Sequence, residues 1–180
     1  RCGTTYTAMS QDVHPGDQVL FADGAGAVVL VAAPGERGLL AHHSVVDGSA
    51  AGVLATVGGG GLDPQARPRL HMNGGVVYRR AARDVAQAAR AACGALGWPV
   101  GAVQWWVPHQ ANARVSAALS RRLGLAPERV IAHLAEVGNT SAASIPLALH
   151  AHRGRFAPGD SMVLCGLGAG LVATAVALRW

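Results

Sequence analysis

Residues 103–124 read Val-Gln-Trp-Trp-Val-Pro-His-Gln-Ala-Asn-Ala-Arg-Val-Ser-Ala-Ala-Leu-Ser-Arg-Arg-Leu-Gly, and they decide the fold class. The apolar run at 103–107 predicts a buried strand, which Pro108-His109 brings to an end. From about 111 to 123, the spacing of Val115, Ala118, Leu119 and Leu123 predicts a helix capped by Gly124. A strand that passes through a short polar crossing into a helix is the repeating unit of an α/β layer.

The same alternation continues on both sides. Upstream, Val77, Ala81, Val85, Ala88, Ala89, Ala92 and Leu96 form a helical stripe over 76–96. Arg79, Arg80, Arg83 and Arg90 lie largely off that stripe, and Gly97 and Pro99 end the helix. Downstream, a short strand is expected at 129–133, followed by a loop through Gly138-Asn139-Thr140. A helix over about 141–152 then tolerates Pro146 in its first turns. A strand at 161–165, the glycines Gly166, Gly168 and Gly170, and an alternating strand at 172–179 complete the chain.

Nearer the start, residues 18–22 and 26–31 read as buried strands separated by Asp23-Gly24. Another strand is expected near 38–47, after a loop around Pro34-Gly35. Residues 48–74, with Gly58 to Gly61, Pro64 and Pro68, read as an irregular functional segment. The two opening strands do not fit the later alternation and look like the end of a preceding domain.

The 180 residues are 51% hydrophobic and 14% charged, which suits one domain with a sizeable core and excludes a disordered chain. The apolar excess comes mostly from Ala, Gly and Val, so close helix–strand packing is expected rather than aromatic clusters. So low a charged fraction points to a surface covered by another chain or domain. All 15 basic residues are Arg, and the net charge of +5 favours acidic partners. Arg runs interleaved with aromatics are absent, which argues against nucleic acid.

The three cysteines, Cys2, Cys93 and Cys165, lie far apart, without metal-ligand spacing, and their odd number argues against a disulfide framework. A reducing cytoplasm is the expected compartment. No apolar stretch of membrane-spanning length is present, so no membrane role is expected. The chain opens at Arg1 rather than Met, which suggests a cleaved, split or partial product.

His109 and Asn139 stand at successive strand-to-helix crossings, where open α/β sheets collect functional groups. Together a His and an Asn can donate hydrogen bonds to a developing oxyanion. The plainer reading is a structural His in a helix-start loop and an Asn that caps the next helix. Spacing alone leaves both open.

Four strings weigh between them: Phe-Ala-Asp-Gly-Ala-Gly-Ala-Val at 21–28, Met-Asn-Gly-Gly-Val-Val-Tyr at 72–78, Trp-Val-Pro-His-Gln-Ala-Asn at 106–112, and Gly-Asn-Thr-Ser-Ala-Ala-Ser-Ile-Pro at 138–146. In this order the chain resembles β-ketoacyl-acyl carrier protein synthase III and its relatives, over essentially all of its length. The resemblance implies a thiolase-like α/β fold of two similar halves packed into five layers. Residues 1–33 would be the end strands of the N-terminal half, and 38–180 the C-terminal half.

The family's nucleophile is a cysteine in the first half that takes an acyl group from coenzyme A. A malonyl-carrier thioester then loses carbon dioxide, and its enolate attacks the acyl-cysteine. His109 and Asn139 match the residues that hold the enolate oxygen, a role needing a neutral His. No cysteine here matches the nucleophile, so a cysteine-bearing N-terminal half is expected as a separate chain or outside this sequence.

Further matches are carried by register. Met72, Gly74, Tyr78, Ala111, Asn112, Arg114 and Leu167 correspond to the tunnel for coenzyme A and phosphopantetheine thioesters. Arg79, Arg114, Arg121 and Arg122 fall where the family docks an acidic acyl carrier protein, although a solvated helix face explains Arg121 and Arg122 equally well. At 167–170 the chain has Leu-Gly-Ala-Gly where the family has Phe-Gly-Gly-Gly. Ala169 then supplies the oxyanion-hole amide, and a positive φ there would strain it.

The resemblance implies no metal, no tightly bound cofactor and a homodimer of the complete enzyme. Its reaction would serve fatty-acid or polyketide starter-unit biosynthesis. The alternatives are an acyltransferase of the same family forming an ester or amide without condensation, and a catalytically silent partner half.

Overall fold

The computed structural model describes residues 25, 26, 28, 37–59, 61 and 63–180. The strand expected at 18–22, and most of that at 26–31, lie outside the described residues.

β5 (Ser161–Gly168) and β6 (Val172–Arg179) form the centre of a mixed sheet, with β1 (Gly38–Val46) and β4 (Trp105–Pro108) at its edges in the order β1-β6-β5-β4. β4 and β5 run parallel because three helices intervene between them: α2 (Ala113–Leu123), α3 (Leu134–Val137) and α4 (Ser144–His152). β5, β6 and β1 pair antiparallel, so the sheet is mixed rather than all-parallel.

β4 and β5 carry buried residues on both faces. Trp106, Val163 and Cys165 point to one side with Ala173, Ala175 and Ala177 of β6. There they meet Val85, Ala88, Ala89, Ala92 and Cys93 of the long helix α1 (Gly74–Gly94), together with Leu119 and Leu123 of α2. Alanine on both sides of this contact lets helix and sheet approach closely, as the composition predicts. Val107, Met162 and Leu178 point to the other side, against Ile131, Ala148, Leu149 and Phe156. The α4 layer covers only part of this second face. Val172, Thr174 and Val176, the β6 positions opposite the Ala stripe, line a cleft instead.

Three sequence expectations need correction. The segment at 48–74 is not irregular throughout: β2 (Leu54–Val57) and β3 (Arg69–Met72) pair into an antiparallel ribbon after a short 3-10 helix at Gly48–Val53. Each strand spans four residues, too few for a period-two signal to stand out among glycines. The strand expected at 129–133 is reduced to one bridge, Val130 to Trp106. Beyond it a side chain replaces the ladder partner, because Gln110 takes both the Ile131 carbonyl and the His133 N–H. The helix expected over 141–152 is also divided: a short 3-10 turn at Ser141–Ala143 leads into α4 at Ser144. Pro146 sits in that first turn, where its missing N–H costs no helical bond. Among the described residues, no helix is long and apolar enough to cross a membrane.

The sheet end distant from the cleft is fixed by Asp160. Its carboxylate accepts from Gln104 Nε2 at 2.6 Å, Trp105 Nε1 at 2.7 Å and Ala157 N at 2.9 Å. Burial by itself would raise its pKa, but the bonds from Ala157, Trp105 and Gln104 together hold the carboxyl below the ordinary value of 3.8. Its stabilisation is therefore present above that ordinary pKa and is lost as acid titrates the folded carboxylate below it. Asp160→Ala is expected to lower stability by about 2–3 kcal/mol at neutral pH, since it orphans three donors. Urea titrations should show this deficit shrinking as pH drops below 4, where protonation has already weakened the wild-type contacts.

Candidate active site

His109 follows β4 directly. Its backbone N–H continues the ladder to the Cys165 carbonyl at 2.7 Å, which holds the Cα at the end of the parallel pair. The next residue, Gln110, is 2% exposed and has its amide fully used. Nε2 donates to the Pro108 carbonyl at 2.7 Å and the Ile131 carbonyl at 3.2 Å, while Oε1 accepts from His133 N at 2.8 Å. The His109 ring is packed just as closely. A Cβ added to Gly166 on the neighbouring strand would lie 3.0 Å from the His109 Cβ, so that strand admits only glycine beside the ring without a shift.

His109 Nδ1 is 2.6 Å from Ser144 Oγ, and that oxygen also accepts from Gln110 N at 3.2 Å. Burial lowers the His109 pKa below the usual histidine range, so the ring is neutral at neutral pH. Its Nε2 has no partner among the described residues. His109 opens on a cleft of about 550 Å³, lined also by Ser141, Ile145, Leu164, Leu167, Val172 and Thr174. The walls are largely apolar, the setting in which a fixed hydrogen-bond donor acts most strongly on developing charge.

Asn139 opens the turn that leads into this cleft. Its Oδ1 accepts the Ser141 N–H at 2.9 Å. Because a backbone N–H can bond only the oxygen of the amide, this contact also fixes which end of Asn139 is the NH₂. That NH₂ has no partner among the described residues. Ser141 itself adopts φ of 53°, an uncommon left-handed conformation for a residue with a side chain and the kind of strain that collects at functional turns. The structure thus places Ser141 and Ala142 on the His109 cleft, while Asn139, one turn earlier, is not among the residues lining it.

The Gly-rich turn joins β5 to β6. Leu167 and Gly168 line the cleft, but Ala169 does not and is exposed. The positive φ that would strain Ala169 falls on Gly170 instead, at 134°. Leu171 locks the turn through a reciprocal backbone pair with Asp47, at 2.9 and 3.1 Å. Asp47 in turn binds Ser49 and Arg80, the latter at 2.6 Å, and these contacts pull its pKa down to about 2. Arg80 completes the chain by bonding Asp84 on its own helix at 2.7 Å. The sequence marked Arg80 only as lying off the apolar stripe; its pairing with a carboxylate 33 residues away has no local signal.

A second cavity, of about 680 Å³, lies between α1 and α2 and brings Tyr78, Arg79, Arg121 and Arg122 together with Arg80 and Arg83. Asp84 binds Arg80 and Arg83. Arg79, Arg121 and Arg122 form no ion pair among the described residues. Arg114 is exposed at the start of α2 and does not line this cavity. Of the other expected tunnel residues, Met72 is 55% exposed on β3, Gly74 begins α1, and Ala111 and Asn112 precede α2. Asn112 caps that helix by accepting from Arg114 N at 2.8 Å.

A family model described as 3-Oxoacyl-[acyl-carrier-protein (ACP)] synthase III C terminal matches residues 93–180, which contain His109, Asn139 and the Gly-rich turn. Over those residues the chain is ketosynthase III-like and corresponds to the C-terminal part. It is 42% identical over 183 residues to a β-ketoacyl-[acyl-carrier-protein] synthase III of Paracoccus denitrificans, covering 98% of this chain and 56% of that protein. It is 40% identical over 183 residues to a 3-oxopimeloyl-[acyl-carrier-protein] synthase of Rhodothermus marinus, covering 96% and 53%. The chain therefore spans about half the length of the curated relatives it matches. The crystal structure of 3-oxoacyl-(acyl carrier protein) synthase III from Pseudomonas aeruginosa PAO1 superposes with a TM-score of 0.73 at 40% identity, over 81% of this chain and 45% of that one. The expected thiolase-like α/β fold is thereby established.

In this ketosynthase III-like chain neither described cysteine has the exposure or lowered pKa that marks a nucleophile. Cys93 and Cys165 are both buried in the core. Burial raises the Cys93 thiol above its ordinary pKa, and burial followed by the nearby Cys93 pushes Cys165 up to about 12. Cys2 lies outside the described residues. Among the described residues, no three His, Cys, Asp or Glu side chains converge as metal ligands. The residues that the sequence reading passed over are Gln110, Ser144 and Gly166. Gln110 and Ser144 stood within quoted motifs, yet a motif does not reveal which of its polar side chains are buried against each other.

Native alkylation followed by peptide mass spectrometry should leave Cys93 and Cys165 unmodified, with both reacting in urea. Gly166→Ala is expected to cost about 1–3 kcal/mol by overpacking against His109, read as a lower denaturation midpoint.

Proposed function

We propose that this chain is the second half of a ketosynthase III-type enzyme that performs a decarboxylative Claisen condensation in fatty-acid biosynthesis. Residues 38–180 form that half, and residues 1–33 belong to the end strands of the first. The observation that carries the reading is His109: a half-buried, neutral imidazole at the end of β4. Its Nε2 is unpartnered among the described residues and stands on an apolar cleft, beside a turn that orients the Asn139 amide.

The cysteine-bearing first half would carry an acyl group transferred from acyl-coenzyme A. When a malonyl thioester enters, its bond to the carboxylate breaks and carbon dioxide leaves. The electron pair stays as an enolate whose negative charge sits on the thioester oxygen. His109 Nε2–H and the Asn139 NH₂ donate to that oxygen, which lowers the cost of forming it. The enolate carbon then attacks the acyl-cysteine carbonyl and the thiolate departs. The Ala169 amide serves the acyl oxygen, and Leu167 shapes the acyl pocket where relatives carry Phe, so a specialised starter unit fits as well as a primary one. Met72, Gly74, Tyr78, Ala111, Asn112 and Arg114 guide the pantetheine arm. The acidic carrier protein docks on Arg79, Arg114, Arg121 and Arg122, three of which share one cavity with no carboxylate of their own. The complete enzyme works as a homodimer in the cytoplasm.

With the cysteine-bearing half present, His109→Ala and Asn139→Ala should spare cysteine acylation by acyl-coenzyme A, measured by intact-protein mass. Malonyl decarboxylation should drop by about 10²–10³ in each, the scale of a lost oxyanion donor. Equal loss of both steps would remove this assignment. Because His109 acts while neutral and its pKa is depressed, wild-type decarboxylation should persist below pH 6.5. It should fall only where the folded imidazole finally protonates.

A further inference from the structure

Ser144 is 1% exposed, and its hydroxyl stands between His109 Nδ1 at 2.6 Å and the Gln110 N–H at 3.2 Å. A serine in the first turn of a helix ordinarily turns its hydroxyl onto that helix's own N–H groups. Ser144 begins α4, yet α4 has no side-chain cap, and the hydroxyl reaches instead to a residue 35 positions upstream. This use of a helix-start serine is what requires an explanation.

The bonding pattern supplies one. A backbone N–H can only donate, so Gln110 occupies a lone pair of Ser144 Oγ. The one hydroxyl proton then has a single acceptor among the described residues, His109 Nδ1. A His109 protonated at Nδ1 would leave that buried proton with no acceptor, an arrangement native interiors avoid. The neutral ring therefore carries its proton on Nε2, the nitrogen that faces the cleft. Gln110 is itself held by the Pro108, Ile131 and His133 backbone, so the N–H that orients Ser144 is fixed in turn.

We infer that Ser144 is a positioning residue: it sets His109 as the Nε2–H tautomer and aims that N–H into the cleft. The role rests on the proposed donation from His109 to an enolate oxygen, and it adds what keeps the donor in place. In the wrong tautomer Nε2 would present a lone pair to the enolate and repel it. A triad carboxylate serves a catalytic His in a comparable way by fixing its tautomer. Here a neutral hydroxyl does so, which leaves the ring uncharged.

The test uses the complete enzyme, with its cysteine-bearing half, and reads tautomer and chemistry separately. Imidazole ¹⁵N spectra of histidine-labelled protein, with His109 assigned through His109→Gln, should show a single Nε2–H form in the wild type and a mixture in Ser144→Ala. Ser144→Ala should lower kcat for malonyl decarboxylation roughly 10- to 100-fold, the scale of lost outer-shell support, with KM and cysteine acylation nearly unchanged. An Nδ1–H form in the wild type overturns the inference without any variant, so a Ser144→Ala protein that fails to fold does not shelter it. An unchanged tautomer and kcat in folded Ser144→Ala overturn it as well. If His109→Gln leaves decarboxylation intact, the functional reading fails, while the spectrum still decides the tautomer.

Discussion

The end of β4 is where the polar chain meets the apolar core, and the rest of the site depends on how that junction is satisfied. Once Pro108 ends the strand, the backbone must turn toward α2 inside the protein. Buried carbonyls and N–H groups there need partners. Gln110 meets the need with one side chain, joining Pro108, Ile131 and His133. The price is a strand at 129–133 that never forms beyond its single bridge. The gain is a crossing rigid enough to hold His109 between Gly166 and Ser144.

Two different physical devices hold the two walls of the cleft. The His109 wall is neutral: hydroxyl, amide and backbone groups close on one another, and burial keeps the imidazole uncharged. The turn from β5 to β6 is held by charge. Asp47 pairs with Leu171 through its backbone and with Arg80 through its carboxylate, and Arg80 leans on Asp84. A neutral wall suits a donor that must meet a transient anion without competing charges. An ion-paired tie suits a turn that lies nearer to solvent. Arg80 also lines the cavity formed by Arg79, Arg121 and Arg122, so the same helix α1 carries both the tie and the basic surface.

Much of this was legible along the chain. The helical stripe from Val77 to Leu96 becomes α1, because alanines at that spacing can face only the sheet. The strand through Trp106 and the alternating strand from Val172 to Arg179 also form where expected. His109 and Asn139 could be marked because their local strings are distinctive. The β2–β3 ribbon was not legible, since four-residue strands among glycines leave too little pattern. The condition under which Ala169 would be strained, a positive φ, is not met, because the neighbouring Gly170 takes up the positive φ.

By itself the sequence determined which residues face the core, that strands and helices alternate, and that a His and an Asn stand at successive crossings. Those are properties of spacing and residue type, and they survive without coordinates. Only the tertiary structure decided that Ser144, Gln110 and Gly166 surround His109, and that Asp47 and Arg80 hold the opposite turn. These contacts join positions 35, 57 and 33 residues apart. Polar groups taken out of water must pair with one another, and Gly166 must leave room for the ring, yet no periodicity in the chain records which of them will meet.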